Sequence, residues 1–169
     1  MKPVRYVAAT VAALAIGVGA YLSLDLPGAP QPVPAVGYTL LDGTASDTSR
    51  WQGKVVLVNF WATTCVVCVR EMPRIVQTHE RFKTRGFDTV AVAMSYDPPA
   101  SVAHFARTRG LPFGVAIDNT GAIARSFGGV KGTPTTLLVN KKGQIVRRYV
   151  GEPDFAALHA LVDQLLAET

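Results

Sequence analysis

The sequence predicts an α/β fold, a mixed central sheet with helices on both faces, preceded by a separate N-terminal apolar helix. Three observations carry that expectation. Candidate elements run strand–helix–strand–helix, then a strand, a hairpin and a terminal helix, an order that builds a partly parallel sheet covered on both sides. Val55 to Trp61 and Phe87 to Met94 are nearly continuous apolar runs, as in strands buried on both faces. The helix candidates instead repeat their apolar residues every three or four positions.

Taken in order, the chain begins with Lys2 and Arg5, followed by a charge-free stretch from Val7 to Leu24. As a helix this stretch measures about 27 Å, against about 30 Å of bilayer hydrocarbon. Residues 1–24 are therefore expected to anchor the chain, positive end inside and the remainder outside the cytoplasm. A cleaved export signal is the alternative, with small residues at Val18-Gly19-Ala20; the apolar run continues past that point to Leu24, which favours the anchor. Residues 25–37 are rich in Pro, Gly and Ala and read as a semi-extended tether. One domain is expected over 38–169.

Within it, Tyr38 to Leu41 with Asp42-Gly43 reads as a short strand and turn. The run Val55 to Trp61 is broken only by Asn59, and Thr63-Thr64 offers a cap for the helix that follows. That helix, Cys65 to Lys83, carries Cys68, Met72, Ile75, His79 and Phe82 on one stripe, a Pro73 that should kink it, and Gly86 to close it. A strand from Phe87 to Met94 and a helix from Pro99 to Arg109, ended by Gly110, come next. Phe113 to Ile117 is a short strand and Ala122 to Phe127 a short helix. Thr135 to Val139 and Gln144 to Val150 form a hairpin around Lys141-Lys142-Gly143, and Asp154 to Ala167 is an amphipathic helix.

The formal charge of +5 is thinly spread, densest at Lys141–Lys142 and Arg147–Arg148. No basic run with interleaved aromatics supports nucleic-acid binding. Two cysteines are too few for a disulfide framework in a domain of this size. They are a structural bridge, a metal pair or a redox pair. A four-residue disulfide loop hardly constrains an unfolded chain. Zinc asks for four ligands, whereas there is no second cysteine pair and His79, His104 and His159 are scattered. His79 reads as a packed core histidine and the other two as solvated. A redox pair fits best. Cys65-Val66-Val67-Cys68 stands where a strand hands over to a helix, whose N-terminal N–H groups favour a thiolate. Cys65, nearer the helix end, should attack, and Cys68, one turn inside, should resolve the mixed disulfide.

The segment from Val56 to Pro73, with Asn59-Phe60-Trp61-Ala62 before the cysteines and Arg70-Glu71-Met72-Pro73 after them, resembles the active-site segment of the TlpA/ResA group of thioredoxin-like proteins. Gly132-Thr133-Pro134-Thr135-Thr136 resembles that group's cis-proline loop. The likeness runs from about Tyr38 to the end. It implies a thioredoxin-like fold and a membrane-anchored thiol–disulfide oxidoreductase that reduces protein disulfides outside the cytoplasm, with Cys65 and Cys68 as the redox-active pair. Clients such as apocytochromes c or copper-site proteins, and a membrane thiol-transfer protein as electron donor, are implied with it. Neither cofactor nor metal is expected. Pro134 would be the cis-proline facing the cysteines, presenting the Thr133 backbone to an extended client segment. Glu71 would correspond to the acidic residue that tunes cysteine ionisation; it lies three residues after Cys68, on the same helical side, and could take the Cys68 proton. Two features depart from the group's pattern. Thr64 stands where tryptophan is usual, removing a flat wall beside the nucleophile, and Val66-Val67 brings no charge to the thiolate.

Two rival activities share the fold. A peroxidase of the peroxiredoxin type wants threonine three residues before its nucleophile, where this chain has Ala62. A copper chaperone uses a wider cysteine spacing and a distant histidine ligand.

Overall fold

The computed structural model describes residues 30–168, so the expected anchor or signal at residues 1–24 lies outside the described residues. Among those residues no helix is long and apolar enough to cross a membrane. In chain order the elements are β1 (Gln31–Pro32), β2 (Gly37–Thr39), β3 (Ala45–Asp47), β4 (Val55–Trp61), α1 (Val66–Phe82), β5 (Phe87–Ala93), α2 (Pro99–Arg109), β6 (Gly114–Ile117), α3 (Ala122–Ser126), β7 (Thr135–Val139), β8 (Gln144–Val150) and α4 (Phe155–Ala167).

Six strands form one sheet in the order β1-β8-β7-β4-β5-β6, and β2 pairs with β3 beside it. β4–β5 and β5–β6 are parallel, while β4–β7, β7–β8 and β8–β1 are antiparallel. The sheet is mixed, as expected. All seven residues of β4 are buried, which is why the central strand can be so uniformly apolar. Alternation along the strands separates two cores. Leu57, Trp61, Ala91, Ala93 and Leu138 face α1, α2 and α4, packing with Met72, Ile75, Phe82, Val102, Leu158 and Val162. Val56, Val58, Phe60, Val90, Val92 and Leu137 face the other way, toward Trp51, Ile123 and Phe127.

Helix α1 buries the expected stripe of Cys68, Met72, Ile75, His79 and Phe82, together with Glu71 and Thr78. Pro73 lacks the N–H that would bond the Val69 carbonyl, yet the helix continues past it to Phe82. Gly86 ends the segment at φ +88°, a left-handed position that glycine adopts without strain.

Two expectations need correction. The folded domain begins before Tyr38. Gln31 and Pro32 pair with Ile145 and Gln144, the Val33 N–H bonds the Gly143 carbonyl at 2.9 Å, and Val33 and Val36 pack on the second core. Proline can serve here because β1 is an edge strand, where a missing N–H leaves no ladder bond unmade. His159 is also not simply solvated. It is half-buried, its ring nitrogen lies 2.8 Å from the Thr78 hydroxyl, and the ring stands edge-on to Phe82. His79 is buried as expected, bonded to Thr89 at 3.2 Å, and His104 is exposed.

Candidate active site

Three loops meet at one end of the sheet. β4 runs out at Trp61 toward the cysteines, parallel β5 ends opposite it at Ala93, and antiparallel β7 begins there, with Phe60 opposite Thr135. Register alone therefore brings Cys65, the turn after β5 and Pro134 to the same end.

Cys65 and Cys68 are joined in a disulfide with Cα atoms 5.2 Å apart. Cys65 is itself the N-cap of α1. Its backbone is extended and its sulfur accepts the Cys68 N–H at 3.2 Å. The sulfur thus occupies the place a serine or aspartate oxygen usually takes. Thr63 and Thr64, the residues expected to cap this helix, do not. The Asp97 carboxylate takes the Thr63 N–H and hydroxyl, each at 2.6 Å, and Thr64 is exposed. Cys65 is half-buried and Cys68 fully buried. No acidic residue lies in the first turn of α1, so within the helix the Cys65 sulfur faces the N-terminal N–H groups.

One turn further, the Glu71 side chain is fully buried. Asn59 of β4 donates one amide N–H to Glu71 Oε1 at 3.1 Å and the other to the Thr136 hydroxyl at 3.0 Å. Asn59 and Thr136 are direct partners across β4–β7, so their side chains stand side by side on the α1 face. Glu71 Oε2 and Asn59 Oδ1 have no hydrogen-bond partner among the described residues. Burial pushes the Glu71 carboxyl up from 4.5 to about 7; the Asn59 bond opposes the rise, the Glu152 charge adds to it and Arg70 opposes it.

At the second wall the Thr133–Pro134 peptide is cis. Pro134 is buried and its carbonyl accepts the Gly151 N–H at 2.9 Å. The β7 ladder starts at Thr135, which leaves the Thr133 backbone beyond it. Three apolar or aromatic side chains stay largely exposed on this end or next to it: Val66 at 78%, Tyr96 at 59% and Val150 at 78%. Sequence reasoning named Cys65, Cys68, Glu71, Thr133 and Pro134 but missed Asn59, Tyr96, Asp97 and Thr136. Asn59 had a signal, since it is the lone polar residue in the β4 run. The others had none, because sheet register and loop packing place them.

A disulfide at a helix N-terminus, one sulfur reachable and the other buried one helical turn from a neutralisable carboxyl, defines a thiol–disulfide oxidoreductase. The sequence profile of the Redoxin family matches residues 29–162, and the chain belongs to that family. It is 34% identical over 119 residues to the thiol-disulfide oxidoreductase ResA of Halalkalibacterium halodurans, covering 69% of this chain and 66% of that one. It is also 34% identical over 124 residues to the ResA of Geobacillus kaustophilus, covering 69% and 70%. The chain thus spans about two thirds of the length of these relatives. A thioredoxin-family thiol:disulfide interchange protein from Chlorobium tepidum superposes with a TM-score of 0.74 at 29% identity, covering 82% of this chain and 97% of that one. The fold is thioredoxin-like, and the enzyme uses its Cys65–Cys68 pair.

Proposed function

We propose that the protein reduces disulfides of other proteins outside the cytoplasm, held to the membrane by residues 1–24. The observation that carries this reading is the unequal setting of the two sulfurs: Cys65 half-exposed at the helix cap, Cys68 buried on the side of Glu71. In the dithiol form, the Cys65 thiolate attacks a client disulfide. One client sulfur leaves as a thiolate and takes a proton, and the other is joined to Cys65. The Glu71 carboxylate accepts the Cys68 proton. The Cys68 thiolate then attacks the Cys65 sulfur, closes the Cys65–Cys68 disulfide and releases the second client sulfur as a thiolate that takes up a proton. Two electrons pass from the pair to the client. A membrane thiol-transfer protein returns them, reversing the sequence.

Clients lie along the Thr133 backbone, whose N–H and C=O stand outside the ladder and suit strand-like pairing. Apocytochromes c and copper-site proteins are the client classes that the likeness to ResA supports. The test is equilibration of the pair in glutathione buffers. A reductase should fall nearer the thioredoxin value of about −270 mV than the value of about −120 mV typical of a strong oxidant. A potential near about −120 mV sinks the reductase reading and leaves the oxidoreductase class intact.

A further inference from the structure

Two consecutive residues on the β5–α2 turn reach opposite walls of the site. Asp97 is buried, and its two carboxylate oxygens hold the N–H and the hydroxyl of Thr63, two residues before Cys65, each at 2.6 Å. Tyr96 is exposed, and its hydroxyl lies 3.0 Å from that of Thr133. The turn that carries them is itself fastened down. The Met94 N–H bonds the Trp61 carbonyl, and the Asp97 N–H bonds the Met94 carbonyl, both at 3.0 Å. The grip on Thr63 is charge-assisted and fixes both backbone and side chain. The Tyr96–Thr133 bond ties the same turn to the second wall. The sulfur and proton steps proposed above use neither residue. Thr64 is small and offers no flat surface beside Cys65, whereas the Tyr96 ring stands in solvent at 59% exposure with its hydroxyl already committed.

We propose that the Tyr96–Asp97 turn is a brace that sets the spacing between the Cys65 loop and the Thr133 loop, and that Tyr96 is a specificity-determining positioning residue favouring extended polypeptide disulfides over small ones. The inference rests on the reading that clients lie along Thr133. A polypeptide touches both walls and so senses their spacing, while a small disulfide needs only the Cys65 sulfur.

The test compares full-length protein with Tyr96→Phe, Thr133→Val, the double variant and Asp97→Asn. Each is assayed on a short peptide carrying one disulfide and on a small aromatic disulfide. Loss of one neutral hydrogen bond corresponds to about a two- to tenfold change. Tyr96→Phe should therefore raise KM for the peptide by about that factor and leave both kcat and the small-disulfide rate unchanged. Thr133→Val, at a residue whose backbone also pairs the client, should raise KM for the peptide at least as much, and the double variant should be no worse than Thr133→Val alone. Asp97→Asn should lower kcat on both substrates, because the Cys65 loop itself is released. Equal effects of Tyr96→Phe on both substrates, no effect on either, or additive single variants overturn the brace. An Asp97→Asn protein with unchanged kcat does the same. Failure of the unaltered protein to reduce the peptide while it reduces the small disulfide overturns the client reading and the brace together, whereas a normal wild-type rate with unaffected variants removes the brace alone.

Discussion

Glu71→Gln keeps the side chain's size and removes its titration, so the variant isolates what burying this carboxyl does. In the folded protein burial is the main cause that raises the carboxyl from 4.5 to about 7. Over that interval the folded state holds a proton that the unfolded chain has already lost. The stability linked to that proton is complete below the unfolded value and disappears as pH rises through about 7. At about 1.4 kcal/mol per pH unit, the effect between about pH 5 and pH 8 amounts to roughly 2 to 3 kcal/mol. His79 and His159 act in the opposite sense. Burial lowers both from 6.5, so they contribute stability above that value and lose it as pH falls. Both histidines remain in the variant and cancel in the difference. The glutamine amide of the variant still offers Asn59 an acceptor but turns an N–H₂ group to where the Glu71 Oε2 has no partner. That costs about 1–3 kcal/mol at either pH, so the change with pH is diagnostic and the absolute stability is not. Urea unfolding of the oxidised proteins at about pH 5 and about pH 8 reads it directly. Wild type should lose roughly 2 to 3 kcal/mol relative to the variant between the two. An unchanged difference would mean that Glu71 ionises in its ordinary range, and its assignment as the base for Cys68 would fall with it.

Cys68→Ser should accumulate a mixed disulfide between Cys65 and a client, and Cys65→Ser should neither trap nor reduce; mass spectrometry of each variant after incubation with client reads the result, and trapping by Cys65→Ser alone would reverse the two roles. In the dithiol form Glu71→Gln should lower the thiol pKa values yet slow mixed-disulfide resolution, because it removes both a nearby negative charge and the proton acceptor; alkylation against pH and single-turnover resolution separate the two effects, and a variant unchanged in both would make Glu71 a bystander. Asn59→Asp sets a second carboxyl where the amide lies 3.1 Å from Glu71. The pair should then share a proton, and the pH profile of resolution should move upward by about one unit or more; an unmoved profile would show that the Asn59 contact does not govern Glu71. Cell fractionation with sequencing of the mature N-terminus checks the anchor, and a soluble protein beginning near Tyr21 would refute it while leaving export in place.

The parts of the fold legible in the sequence were those set by local pattern. The uniformly apolar run from Val55 to Trp61 announces a strand buried on both faces, and the stripe from Cys68 to Phe82 announces one helix face. The β1 pairing was hidden because Gln31-Pro32 has neither β-branched residues nor alternation; it is held by backbone bonds to the 143–145 segment, which no local signal encodes. Capping failed for a related reason. Thr63 has the right chemistry for an N-cap, but a buried carboxylate 34 residues away in sequence competes for it and wins with two bonds. In the site, cysteine spacing located the sulfurs. The Asn59–Thr136 contact depends on β4–β7 register, a non-local quantity that a single sequence does not carry.

These placements also bear on the pH response expected of the cysteine pair in the proposed mechanism. The first turn of α1 brings no acidic residue, and Val66-Val67 brings no charge at all. Within the helix, stabilisation of a Cys65 thiolate falls to the N–H groups, including the Cys68 N–H that already meets its sulfur, and these do not titrate. Arg70 and Arg74 lie further along the helix and engage Glu152 at 2.8 and 3.4 Å. Glu71 is left as the buried titratable group one turn from Cys68, poised at about 7. A base works best when its pKa lies near the ambient pH, and a resolving thiol needs a proton acceptor only after the mixed disulfide has formed. In the proposed mechanism, burial of the carboxyl would serve both stages. Below about 7 it stays neutral and adds no charge beside the sulfurs; above that it is available to take the Cys68 proton. Resolution should accordingly turn on near neutral pH with Glu71 present and follow the Cys68 thiol's own ionisation, at higher pH, in Glu71→Gln.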